Sequence, residues 1–507
     1  MKKLNFLILF YFLLALSVTS CSKNDDDPNP TPTPTPNNQV TLDNEVNDFV
    51  WKAMNSWYNW QNRVTNLLDS KDDNKDNYYT FLNSYSDPAD LFYNLCYNHI
   101  SIVGEANATD KFSWFIEDYV EQNKEFQGIS LSFGFRLQTV RINDAGDVIL
   151  YVRYVAPDSP ADLAGIKRGD IISGIDGITL NANNYSSAAA NLSNETVTLS
   201  FVDEVDGELV YLEDKTITAA EVSEDPVYLK KVFNDINGEK VGYLVYNAFR
   251  SSYHSELNTA FEYFKNEGVT ELVLDLRLNG GGSVLTSAYL ASMIYANAGT
   301  DNFAVLKFNS KHSNENGAYT FEDKLNVYNV DGEKTGEQNI NRLTTLDRLY
   351  VLTSGSTASA SEMIINGLKP FISVKVIGTT TYGKNVGSIT LYDSPDSQYT
   401  NEQTANSSHK NAMQPIVFQI YNKNNESDYT QGFTPDIEVK EWYYWNNILP
   451  YGDENEALLK AALDDIRGLS SRMEIPKNAE FYKLKDLSNI EPKFSKEMYI
   501  ENDFFNK

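Results

Sequence analysis

The chain has 507 residues, with 70 acidic against 42 basic side chains and a formal charge of −28 at neutral pH. That excess repels phosphate and argues against a nucleic-acid partner. The length exceeds what one hydrophobic core supports and predicts roughly three or four domains at ~100–200 residues each.

Lys2 and Lys3 precede the apolar run Phe6 to Leu16, the pattern of an export signal that is too short to span a bilayer. Val18-Thr19-Ser20-Cys21 then resembles the lipobox of bacterial lipoproteins, which implies cleavage after residue 20 and lipidation of Cys21. The following Ser22 to Asp27 is similar to the surface-export signal of lipoproteins from Bacteroidetes-type bacteria. The expected location is the outer membrane, on the cell-surface or periplasmic side, with the membrane engaged through the lipid. The competing reading is a plain cleaved signal with an incidental cysteine. With Cys21 lipidated, Cys96 is the one remaining thiol, so no intrachain disulfide forms. Set among Leu91, Phe92 and Leu95, it reads as a small buried hydrophobe. Pro28 to Pro36 alternates proline with polar residues and makes 21–39 a stiff spacer.

Val46, Phe49, Val50, Ala53, Met54 and Trp57 recur at helical spacing, and Asp87-Pro88 supplies a cap and a first-turn proline for another helix. Residues 40–127 therefore read as a helical domain. From Gly128 the texture is strand-like. Val148 to Val152, Pro157 to Ala161, Ala164 to Ile172 and Ile175-Asp176-Gly177 together resemble a PDZ domain over 128–220. That resemblance implies capture of a peptide strand at a sheet edge, with Phe133-Gly134-Phe135 as the loop that receives a terminal carboxylate.

Residues 221–468 alternate strands (Val241–Val245, Glu271–Arg277, Val374–Ile377) with helices (Glu256–Glu267, from Val284, 360–369), an α/β core. Within it, 298–346 is polar and poorly periodic, with Asp331-Gly332 as a hairpin signal, and reads as an insertion. The tail 469–507 carries no readable pattern.

Ser359 lies in Ser359-Ala360-Ser361-Glu362, a capping box that would set its hydroxyl at a helix N-terminus. A serine needs a base to become a nucleophile. The chain has four histidines; His312 and His409 remain candidates for a serine–histidine–aspartate triad, which geometry rather than chain order defines. Lys384, in Tyr382-Gly383-Lys384-Asn385 after a strand, is better placed, provided burial lowers its pKa by several units. Gly280-Gly281-Gly282 ends a core strand where backbone amides can meet an oxyanion, and it lacks the residues of a phosphate-binding loop.

Ser359 to Glu362, Gly383-Lys384, Asp275 to Gly282 and Gly432-Phe433-Thr434-Pro435-Asp436 together resemble the C-terminal processing peptidases, or tail-specific proteases. The resemblance implies a multidomain α/β chain that joins the helical and PDZ domains to a crotonase-like (ClpP-like) core. It further implies Ser359 as nucleophile, Lys384 as general base and Gly281 with Ala360 as oxyanion donors. The substrates implied are unfolded or C-terminal peptide segments, and no metal or organic cofactor. Many members carry a glutamine four residues after the lysine; Ser388 stands there, with Ser388 or Asn385 to orient the base instead. The rival function is peptide or ligand binding by the same fold without turnover. Oligomeric state is not readable from the sequence.

Overall fold

Asn44 accepts the Val46 amide and starts α1 (Glu45–Trp57), whose apolar stripe buries Phe49, Val50, Ala53, Met54 and Trp57. The computed structural model describes residues 39–297, 299–329, 332–469, 482–484 and 495–505. The export signal, Cys21, the proline spacer and Asp331 lie outside the described residues. Asp87 caps α2 (Pro88–Leu95), which packs with Cys96 into the same core as α1. The helical region is tied to the α/β core by β1 (Trp114–Ile116), which pairs antiparallel with Ala412–Gln414. Ser113 Oγ also accepts the Ile416 amide at 2.9 Å. One continuous apolar cluster runs from Trp57 in α1 to Phe308 and Phe418, so the helical region is part of the core's wall.

The PDZ-like sheet is seven-stranded. It contains β2 (Phe135–Arg141), β3 (Val148–Val155), β4 (Ile171–Ile175), β5 (Thr196–Val205) and β6 (Glu208–Thr218), each antiparallel to the next. Its inner face buries Phe133, Phe135, Leu150, Val152 and Leu199 around Ile172.

The α/β core is built on two sheets. The first holds β7 (Val227–Ile236) antiparallel to β8 (Glu239–Tyr246). Then β9 (Glu271–Asp275), β13 (Arg348–Thr353), β14 (Ser373–Gly378) and β18 (Ile437–Glu438) follow in parallel. Strands β8, β9 and β13 are almost fully buried, as the near-continuous apolar runs of a parallel sheet covered on both faces require. Helices α3 (His254–Glu267), α4 (Val284–Ile294), α5 (Ala360–Leu368) and α6 (Ala457–Ile466) cover them.

The second sheet runs β10 (Gly282–Ser283), β20 (Met498–Tyr499), β15 (Val386–Ser388), β17 (Ile416–Tyr421), β11 (Gly299–Phe308), β12 (Gly317–Phe321). Two elements differ from the sequence reading. The first part of the 298–346 stretch, read as an insertion, is integral to the core, because β11 enters the sheet beside β17 and buries Phe303 and Leu306. Register shifts at Asn302 break its alternation, which is why the period of two is not visible. The tail, unreadable as sequence, contributes β20 between β10 and β15.

Candidate active site

Between β13 and α5 the chain is fastened to the glycine turn after β9. Thr357 Oγ1 donates to Leu276 O at 2.8 Å, Ser354 Oγ to Arg277 O at 2.5 Å and Ser361 Oγ to Asn279 O at 2.9 Å. These bonds hold Ser359 at the N-cap of α5 with φ 63° and ψ −119°, a left-handed conformation that costs a side chain about 1–3 kcal/mol. Ser359 is fully buried and its Oγ has no hydrogen-bond partner among the described residues. A strained turn that presents an unpartnered hydroxyl at a helix start fits a nucleophile better than a cap.

Glu362, the third residue of α5, is the organising acid. It accepts Ser359 N–H at 2.9 Å, Gly383 N–H at 2.7 Å, Lys384 N–H at 2.8 Å and Thr381 Oγ1 at 2.5 Å. One carboxylate thus spans the serine turn and the lysine loop. Burial pushes its pKa up to about 7 against the pull of these four donors. The sequence reading takes Glu362 only as a capping partner; its tertiary bonds depend on residues 19 to 22 places away. Glu362→Gln leaves a donor facing donors and is expected to cost about 1–3 kcal/mol, readable by calorimetry.

Lys384 is wholly buried, and its Nζ lies 4.6 Å from the Phe112 ring centre. Burial lowers its pKa from 10.5, while Glu497 pulls it up. Nζ donates to Lys496 O at 2.8 Å and Glu497 Oε2 at 3.0 Å, so in this state the amine is held by the tail and not by Ser359. Asn385 and Ser388 do not orient it. The Asn385 amide donates to Ser427 O, and Ser388 Oγ donates to Met498 O and accepts Gln414 Nε2.

Gly281 N–H donates to Asn279 Oδ1 at 2.9 Å, and it is the next amide, Gly282 N–H, that meets a peptide carbonyl, Glu497 O, at 2.5 Å. At Gly281 (φ 118°) a Cβ would fall 2.6 Å from Ser359 Cβ and 2.3 Å from Glu497 O. Glycine there keeps the space between serine and bound carbonyl open. Ala360 is the first helical residue, where an amide has no partner within the helix.

No histidine meets Ser359. His99 bonds Ser101 and Ser113, and His254 bonds Thr286 and Asn326. His312 stacks on Trp57 and bonds Ser56, and His409 faces Asp393.

A family model for peptidase family S41 matches residues 240–439, the span that carries this constellation. The chain belongs to peptidase family S41. The S41 N-terminal domain matches residues 45–114 and a PDZ domain matches 151–203. A crystal structure of an S41 protease from Bacteroides fragilis superposes with a TM-score of 0.62 at 26% identity, covering 83% of this chain and 97% of that one. Among curated proteins, carboxyl-terminal-processing peptidase 2, chloroplastic, of Arabidopsis thaliana is 28% identical over 55% of this chain and 50% of its own length. The carboxyl-terminal-processing protease of Picosynechococcus is 27% identical over 55% of this chain and 58% of its own. The S41 chain therefore spans about half the length of the curated relatives it matches.

In this S41 chain the PDZ loop is tied inward. Gly134 O accepts Ala156 N–H at 2.7 Å, Phe133 O accepts Ala161 N–H at 3.0 Å, and both phenylalanines sit in the PDZ core. A small cleft of about 90 Å³ runs from Arg136 on the PDZ edge past Arg250 to Gly280–Gly282, between the two domains.

Proposed function

We propose that this chain is an exported, lipid-anchored serine endopeptidase of the C-terminal processing type, in which Ser359 is the nucleophile and Lys384 the base. The observation that carries the reading is that one carboxylate, Glu362, holds the backbone amides of both Ser359 and Lys384, and so fixes a buried serine hydroxyl and a buried lysine of lowered pKa on two turns of the same site. In the neutral form Lys384 takes the Ser359 proton as Oγ bonds to the substrate carbonyl carbon. The oxyanion is met by the Gly282 and Ala360 amides, and Lys384 then passes the proton to the departing amine. Water, deprotonated by the same lysine, hydrolyses the acyl-serine and restores both groups. The PDZ edge presents an unfolded or C-terminal segment to the groove. Cys21 carries the outer-membrane anchor, so Cys21→Ala moves the protein from the membrane fraction to the soluble one.

Purified residues 22–507 should degrade an unstructured polypeptide, and Ser359→Ala should abolish this while remaining folded. Equal activity in Ser359→Ala would reject the nucleophile. A second reading, peptide binding without turnover, is favoured by the bonding of Lys384 Nζ to the tail. Intact peptide binding with no cleavage by any form would support it.

A further inference from the structure

The tail approaches this site as a peptide would. Met498–Tyr499 adds to the second sheet parallel to both Gly282–Ser283 and Val386–Ser388. Glu497 O accepts the Gly282 amide, and Ile500 N–H reaches Ser388 O at 3.4 Å. Ser388 Oγ donates to Met498 O at 3.2 Å, and Ser283 Oγ donates to Glu501. Upstream, Tyr482–Lys483 pairs antiparallel with Arg141 and Val140 on β2, and Leu484 packs on the PDZ core. That strand is the one that follows the Phe133-Gly134-Phe135 loop, and antiparallel addition to it is how PDZ domains take a peptide. One segment of the chain thus touches both surfaces that a substrate needs.

The contacts fall on the reacting groups themselves. The same point beside Gly281 lies 2.3 Å from Glu497 O and 2.8 Å from Ser359 Oγ. Lys384 Nζ, the atom that must give up its proton, is held by Lys496 O and the Glu497 carboxylate. An anion at 3.0 Å keeps the proton on the amine, so attack on the tail's own carbonyl stalls although that carbonyl sits at the oxyanion amide. Lys384 is fully buried and Glu497 is 7% exposed, so the pair is removed from water, and burial draws the Glu497 carboxyl up to about 7.

We propose that the C-terminal segment is a resident pseudo-substrate: residues 482–484 on the PDZ edge and 495–501 in the catalytic groove hold the enzyme shut, with Glu497 blocking Lys384. The inference rests on the Ser359–Lys384 reading. Because the segment is tethered, its effective concentration is on the order of millimolar, and a substrate must displace it from the sheet edges before the lysine is freed. The class of peptide the groove accepts follows from the same contacts: an extended strand running parallel to Gly282–Ser283, whose carbonyl meets the Gly282 amide. A residue other than aspartate or glutamate must supply that carbonyl for turnover.

The test uses residues 22–507 with Cys96→Ser and a nitroxide label on Ser495→Cys, within the docked stretch, with and without Glu497→Arg, which sets a second cation against Lys384. The expected result is a label that gains mobility in Glu497→Arg, with degradation of an unstructured polypeptide at least tenfold faster. An unchanged label spectrum overturns docking through Glu497. A mobile label with an unchanged rate overturns inhibition. A mobile label with no cleavage by any form supports docking but removes the proteolytic reading and the inhibition with it.

Discussion

Lys384→Met is expected to reduce polypeptide cleavage by about 10,000-fold, the scale on which removal of one member of a serine triad acts. Methionine fills nearly the same volume beside Phe112 and cannot accept a proton. The fold is expected to tolerate it. The change removes a buried ammonium and its desolvation cost, and the Glu497 carboxyl left behind can take up a proton, its pKa being already about 7. Lys384→Arg separates charge from basicity, because guanidinium keeps its proton throughout the accessible range, and it should be equally inactive. On the proposed mechanism the base works only when neutral, so kcat/KM of the parent protein should rise with pH along a limb that lies below 10.5. Stability has the same sign. Folding lowers the lysine's proton affinity, so the native state gains on the unfolded one as pH climbs from the folded pKa towards 10.5. A pH series of rates and melting temperatures on the three proteins reads both effects; full activity in Lys384→Arg would remove lysine from the role of base.

What the sequence discloses and what it hides divide along the range of the interactions. The α1 stripe, the Asp87 cap, the buried strand read over 271–277, which ends at Asp275, and the Ser359 to Glu362 motif are local patterns, and each forms at the place its residues predict. Glu362 shows the limit. Its spacing from Ser359 is legible, but the bonds to Thr381, Gly383 and Lys384 exist only because β14 returns the chain beside α5. Phe112, beneath the lysine, comes from the helical region and cannot be assigned by motif. Ser388 marks the family's glutamine position, yet its hydroxyl is used by Gln414 and Met498, and Glu497 takes the amine. The tail is silent because backbone pairing specifies strand addition, and backbone pairing leaves no mark on composition.

Arg277→Ala is expected to cost about 3–5 kcal/mol, the penalty for stranding buried partners of a removed charge. Arg277 is 1% exposed. It donates to Asp275 at 2.7 and 2.9 Å, to Glu456 at 2.6 and 2.9 Å and to Glu441 at 2.9 Å. Glu441 and Glu456 are shared with two arginines of the PDZ domain. Arg153 reaches Glu441 at 2.9 Å, and Arg168 reaches Glu441 at 2.7 Å and Glu456 at 3.3 Å. Three cations meet three carboxylates across the domain junction, and removing Arg277 leaves an uncompensated buried negative charge. Two consequences follow, one for each direction from the network. Towards the PDZ domain, burial alone would raise Glu441, but Arg168, Arg153 and Arg277 hold it well below 4.5. Its contribution is therefore present above about pH 4.5 and is lost as pH falls through the depressed value. Towards the site, Arg277 O anchors Ser354 in the serine turn, and Gly280–Gly282 follow three residues on. Arg277→Ala should thus lower the unfolding midpoint in calorimetry and, on the proposed mechanism, slow cleavage through kcat, by displacing the Gly280–Gly282 turn, more than through KM. A melting temperature within one degree of the parent would show that the charges at the junction relax into water and that the PDZ domain is docked by the apolar contacts of Trp445 and Ile448 instead.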